Sequence, residues 1–185
     1  MRLVLLLVAC LVAAGCTTEV AGTPSAPTGL LLPPRPREVR LDGVDPCSLL
    51  TAEQRAGLGF TSTPAISKPY VALFRGDVPT CTMFSSSPGA VLLGVGTVTT
   101  AGIERWQDTS LAARVRPTAV AGFPAVIALP TQSGAYCSVE VDVAPGQLLD
   151  VQISDGGDSP PVTQEALCQR AGQTAEEMAR TLLTR

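Results

Sequence analysis

Four cysteines, Cys47, Cys81, Cys137 and Cys168, stand more than thirty residues apart along this 185-residue chain, and the spacing narrows what they can do. Structural zinc takes its ligands in close pairs such as Cys-x-x-Cys, so a metal-stapled fold is set aside. An even number of distant cysteines is the pattern of a disulfide framework, provided that the chain is exported to an oxidising compartment. Of the three possible connectivities, Cys47 with Cys81 and Cys137 with Cys168 is expected, and the other two stay open at this point.

The N-terminus supplies the export signal. Met1 and Arg2 precede an almost wholly apolar run from Leu3 to Ala14, followed by Gly15 and Cys16. This run is too short for a membrane span, which takes about 20 apolar residues, and it reads as a signal peptide. Its small-small-Cys ending resembles the bacterial lipobox, with Ala13 where Leu is usual, and implies acylation of Cys16. A second match at Leu7-Val8-Ala9-Cys10 follows the pattern more closely but leaves a shorter apolar run ahead of its cysteine. Cys16 is therefore the expected lipid attachment site. Each buried methylene of an acyl chain contributes about 0.8 kcal/mol, so more than one chain holds a protein stably at a membrane.

Behind Cys16 the chain carries Pro24, Pro27, Pro33, Pro34 and Pro36 among Gly, Ser and Thr, a composition that forms neither helix nor central strand. Pro33-Pro34-Arg35-Pro36 fits a PxxP ligand, but tether is the preferred reading. Leu30, Leu31 and Leu32 are unusual in a solvated tether and are expected to dock it on the domain. The expected organisation is a signal peptide over 1–15, a lipidated Cys and Pro-rich tether over 16–44, and a single domain over 45–185.

Loss of the signal removes Arg2 and leaves 12 basic against 16 acidic side chains, a net charge of −4. The basic residues are scattered, with Lys68 the one lysine, so nucleic acid is not an expected partner. Histidine is absent, which removes Ser-His-Asp and Cys-His catalysis and every histidine metal site. Lys68 lacks the Ser-x-x-Lys frame of a dyad. Gly94-x-Gly96 lacks the helix that a phosphate loop requires. Asp155-Gly156-Gly157-Asp158 lacks the ligand spacing of a calcium loop and reads as a turn. Glu140 and Asp142 share a strand face, where paired carboxylates can act as acid and base on sugars, although a solvated strand face is the commoner setting. An envelope enzyme would need Glu140, Asp142 or Asp150 in a concave pocket with raised pKa values. Trp106 beside Arg105, with Arg114 and Arg116 nearby, can form an aromatic and basic patch for anionic glycans or lipid head groups. Core packing of the only Trp is preferred. No catalytic residue, cofactor or metal site is expected.

The domain opens with two helix-start signals, Asp45-Pro46 and the capping box Thr51-Ala52-Glu53-Gln54, and a short helix ends near Gly57 and Gly59. A hairpin is expected over Cys81 to Thr99, turning at Ser85 to Gly89. Ile103 to Val115 reads as a weakly periodic helix and Ala119 to Leu129 as a strand crossed by Gly122-Phe123-Pro124. Two alternating strands follow, with Val139, Val141 and Val143 inward and Ser138, Glu140 and Asp142 outward, then Leu149, Val151 and Ile153 inward. Thr163 caps a last helix whose apolar stripe is Leu167, Ala171, Ala175, Met178 and Leu182. Runs of antiparallel strands flanked by helices predict an α+β fold. The expected sheet has about five strands, with a short N-terminal helix and a C-terminal helix packed on one face.

Asp45-Pro46-Cys47 with Leu49-Leu50-Thr51, Cys81 opening a strand, Gly122-Phe123-Pro124-Ala125, Cys137 in Val-rich alternation, and Cys168 with Ala171 in a closing helix resemble an actinobacterial family. It is the family of small secreted lipoproteins with a four-cysteine domain of unknown function, and the resemblance spans Asp45 to Leu183. It implies a fold similar to the extracellular sensor domain of mycobacterial Ser/Thr kinases, α+β with two disulfides. It brings no activity. The expected role is a non-catalytic binding or interaction module on the outer face of the cytoplasmic membrane, with an envelope protein, lipid or glycan as partner. A carrier of an apolar envelope ligand and a carboxylate enzyme acting on envelope glycans are the alternatives.

Overall fold

The computed structural model describes residues 30–131 and 136–185; the expected signal peptide, Cys10, Cys16 and the first part of the expected tether lie outside the described residues. Asp45 accepts a hydrogen bond from the Cys47 N–H at 2.9 Å and caps a 3-10 turn at Pro46–Leu49. Thr51 and Gln54 close the expected capping box on α1 (Ala52–Gly57), each side chain satisfying the other's N–H at 3.1 and 2.8 Å. Strands follow as β1 (Ala65–Ser67), β2 (Tyr70–Val71), β3 (Gly76–Asp77), β4 (Thr80–Phe84) and β5 (Val91–Val98). Then come β6 (Ala113–Val120), β7 (Phe123–Pro130), β8 (Tyr136–Ala144) and β9 (Gln147–Asp155), before α2 (Gln164–Leu183). Seven of the strands make one sheet in the order β1-β4-β5-β9-β8-β7-β6, while β2 and β3 pair as a separate ribbon. Every pairing is antiparallel. The fold is α+β, as expected, with seven strands in the sheet where five were anticipated.

The extra strands lie where the periodicity is weakest. Ile103 to Val115 is not a helix: a 3-10 turn at Ile103–Gln107 gives way to the start of β6. Residues 113–120 alternate Arg114, Arg116 and Thr118 with Val115, Pro117 and Ala119, which is a period of two. Pro117 is tolerated because β6 is the edge strand, where its missing N–H breaks no ladder. The segment from Ala119 to Leu129 is a hairpin rather than one strand. It turns on Ala121 and Gly122, both with positive φ (48° and 83°), the geometry that matches strand twist in a two-residue turn. Glu176 of α2 accepts the Ala121 N–H at 2.7 Å and holds the alanine in that region.

The main core lies between the sheet and α2. Leu167, Ala171, Ala175, Met178 and Leu182 are all buried, as the stripe predicts, and pack with Val139, Val141, Val143, Leu149, Val151 and Ile153. Thr163 accepts from the Ala166 N–H and starts the helix. The disulfides are Cys47–Cys81 and Cys137–Cys168, the expected connectivity. They tie the first 3-10 turn to β4 and β8 to α2.

The opposite face of the sheet is covered as well, and this corrects the placement of Ser138, Glu140 and Asp142, which are buried rather than solvated. On that face Phe74, Val78, Ile103 and Trp106 pack over Val98, Val126, Ala128 and Leu148 of the sheet as a second cluster. Leu30 and Leu32 of the tether pack against it, whereas Leu31 is exposed. Farther along the tether, Arg35 pairs with Asp142 at 2.9 Å and Val39 donates its N–H to the Val143 carbonyl at 2.8 Å. Leu41 is buried in the main core. Packing therefore extends upstream of Asp45.

Candidate functional site

The sheet positions two candidate sites, one on each face. On the roofed face, Glu140 of β8 stands directly opposite Asp150 of β9, and Gly96 of β5 lies opposite Asp150 on its other side. A Cβ on Gly96 would sit 2.9 Å from Cγ1 of Val78, so a side chain there would push Val78 off the sheet. The Ser138 hydroxyl donates to Oε1 of Glu140 and lies 3.4 Å from Oδ1 of Asp150.

Burial, with repulsion from Asp150 behind it, pushes the Glu140 carboxyl well above the usual range, and burial pushes Asp150 up to about 6. Two facing carboxyls in such a place cannot both be ionised cheaply, so their titrations are linked. The Trp106 indole stands close enough to Glu140 to favour its charged form. Even so, the indole nitrogen and Oε2 of Glu140 both lack a partner of proper hydrogen-bond geometry. Burial raises Tyr136, and the two acids raise it further; burial also raises Asp142, against the pull of Arg35. These raised values are what acid-base catalysis would require. The access it would also require is poor at Glu140, which is 1% exposed, whereas Asp150 is partly buried; five surface cavities are lined by other residues.

The remaining polar candidates have structural roles. Asp155 accepts from the Gly157 and Val162 N–H groups, while Asp158 accepts from Ser87 at 2.6 Å and Ala90 N–H at 2.9 Å. That segment is a braced turn, and the Ser87 bond holds the Asp158 carboxyl below its usual value. Lys68 is exposed between β1 and β2. The aromatic and basic patch divides. Trp106 is buried and Arg105 binds the Leu73 carbonyl and Asp108, but Arg114 and Arg116 turn to the other face.

On that other face, α2 lies over β8 and β9 and meets β6 only at its margin. The uncovered strip forms a groove in two adjoining parts. One, of about 590 Å³, is lined by Arg114, Arg116, Leu129, Gln164, Glu165 and Cys168. The second, of about 330 Å³, continues along Thr118, Ile127, Val139, Gly172 and Glu176. The two parts fall in line because Arg114, Arg116 and Thr118 alternate on one strand face while Cys168, Gly172 and Glu176 repeat every fourth residue of the helix. Both volumes lie in the range of small-molecule sites, which run from roughly 300 to 1,000 Å³. Among the described residues, neither Arg114 nor Arg116 has an ion-pair or hydrogen-bond partner.

Gly172 sits inside α2, where glycine costs about 1 kcal/mol relative to alanine. No packing constraint demands it, since an added Cβ would meet nothing within 4 Å. Gly172→Ala is therefore expected to raise the unfolding free energy by roughly 0.5 to 1 kcal/mol. A denaturant titration checks this, and a loss of stability would contradict the open groove wall.

These features define a disulfide-stapled α+β domain with an open groove beside its long helix. Residues 11–181 match the family described as protein of unknown function (DUF3558), and the chain belongs to that family. No curated protein and no solved structure matches it.

Proposed function

We propose that this chain is a cell-envelope lipoprotein whose domain, anchored through Cys16 to the outer face of the cytoplasmic membrane, binds a ligand or partner without transforming it. The observation that carries the reading is the oxidised framework: all four cysteines of the domain are paired in two bridges between distant elements. Such bridges persist outside the cytosol, where a signal peptide over 1–15, cleaved ahead of Cys16, would deliver the chain. The binding reading draws on the open groove. The burial of Glu140, which is 1% exposed, favours it over carboxylate catalysis.

Cys16→Ala tests the anchor. The native chain is expected to sediment with membranes, enter the detergent phase and carry an acylated Cys16 by intact mass. The variant is expected to lose that acyl mass and to retain the longer signal-bearing chain. An identical mass increment on the variant would overturn the assignment and move the lipid to Cys10.

A further inference from the structure

We infer that the groove between α2 and the β6–β7 hairpin is a binding site for a single-chain anionic amphiphile, an acyl chain ending in a carboxylate or phosphate. The inference rests on the binding reading above and adds a place and a ligand class to it. The floor is apolar, formed by Ile127, Leu129 and Val139, with the half-buried sulfur of Cys168 beside them. Its main-chain groups are spent: β6 and β7 bond to each other through the whole hairpin, and α2 bonds within itself. The free edge of β6 points sideways in the plane of the sheet, away from the floor. A peptide laid in the groove would find no main-chain partners on its walls, whereas an acyl chain needs none.

Charge sets the direction in which such a ligand lies. Arg114 and Arg116 stand at the end where α2 begins, and the N-terminus of a helix carries partial positive charge. Among the described residues Glu165 is the one carboxylate lining that mouth, leaving two guanidiniums and a helix end against it. At the far end, Glu176 is already held by the Ala121 N–H and Arg180. From Gln164 to Glu176 the helix rises by roughly 18 Å, a length suited to a long chain. Gly172 faces the groove midway, and the helical cost of this glycine has an explanation if a chain passes over it.

The test titrates cis-parinaric acid, a fluorescent fatty acid, and lysophosphatidylglycerol into the full chain carrying Cys16→Ser, with a neutral alcohol of equal length as comparison. Saturable binding with a micromolar dissociation constant is expected. Gly172→Leu, which fills the groove with a better helix former, is expected to weaken binding at least tenfold without lowering the thermal midpoint. Arg114→Glu with Arg116→Glu, both on the exposed edge strand, is expected to weaken both anions about tenfold and leave the alcohol unchanged. No saturable binding by the parent chain, or parent-like binding by Gly172→Leu, would overturn the inference. Equal loss for anion and alcohol in the arginine variant would overturn the assigned polarity. Product released from the bound probe, seen by mass spectrometry, would overturn the non-catalytic reading while leaving the groove occupied.

Discussion

Reducing both disulfides is expected to leave the domain largely unfolded at 37 °C. The bridges close separations of 34 and 31 residues that do not overlap in the chain. On the chain-entropy model each loop stabilises the fold by roughly 3 to 4 kcal/mol, and two independent loops add. Single domains carry only about 5 to 15 kcal/mol in total, so the loss removes most of it. The two bridges also hold different contacts. Cys47–Cys81 pins the N-terminal 3-10 turn on β4, while Cys137–Cys168 pins α2 on the interior strand β8. Replacing Cys137 and Cys168 together by Ser is expected to destabilise more than the Cys47 and Cys81 pair, because α2 supplies the main core with Leu167, Met178 and Leu182. Circular dichroism melts with and without reductant measure both effects. An unchanged midpoint after full reduction would show that packing alone carries the fold.

The framework was legible in the sequence because cysteine spacing, the two caps and the α2 stripe are local signals with one physical meaning each. Asp45, Thr51 and Thr163 cap because their side chains reach the orphan N–H groups of a first turn. What escaped were features decided by distant residues. Alternation in β8 shows two faces but does not reveal that Phe74, Trp106 and the tether roof the polar one, so Glu140 and Asp142 read as solvated. The same blindness hid the groove. Arg114 and Arg116 attract notice as basic residues near Trp106, but only the strand register separates them from it and sets them beside Gln164 and Gly172. A glycine inside an otherwise strong helical period was the available signal for an open helix face.

Stability is expected to peak in weakly acidic solution and to fall as the pH rises toward 8, with the Glu140–Asp150 pair as the main cause. An unfolded Asp or Glu titrates near 4, whereas burial holds Asp150 at about 6 and Glu140 well above the ordinary range. Between those values the folded chain binds more protons than the unfolded one, so the unfolding free energy declines with rising pH. The decline begins near pH 4, runs through 6, and continues as Glu140 titrates. A carboxyl held near 6 instead of near 4 costs the folded state about 3 kcal/mol once ionised. Asp142, raised by burial against Arg35, adds to the slope in the same direction. Asp42, Asp108 and Asp158 act oppositely: hydrogen bonds from Gln147, Ser110 and Ser87 lower them, and their contribution is lost only as the pH drops below about 4. Glu140→Gln separates the pair from the rest, since the amide keeps the shape of the protonated acid and cannot ionise. The variant is expected to lose more than half of the decline between pH 5 and 8 and to exceed the native chain at pH 8 by on the order of 1 to 3 kcal/mol. Thermal midpoints across that range read the difference as several degrees. Parallel curves for variant and native chain would mean that Glu140 does not govern the alkaline loss of stability.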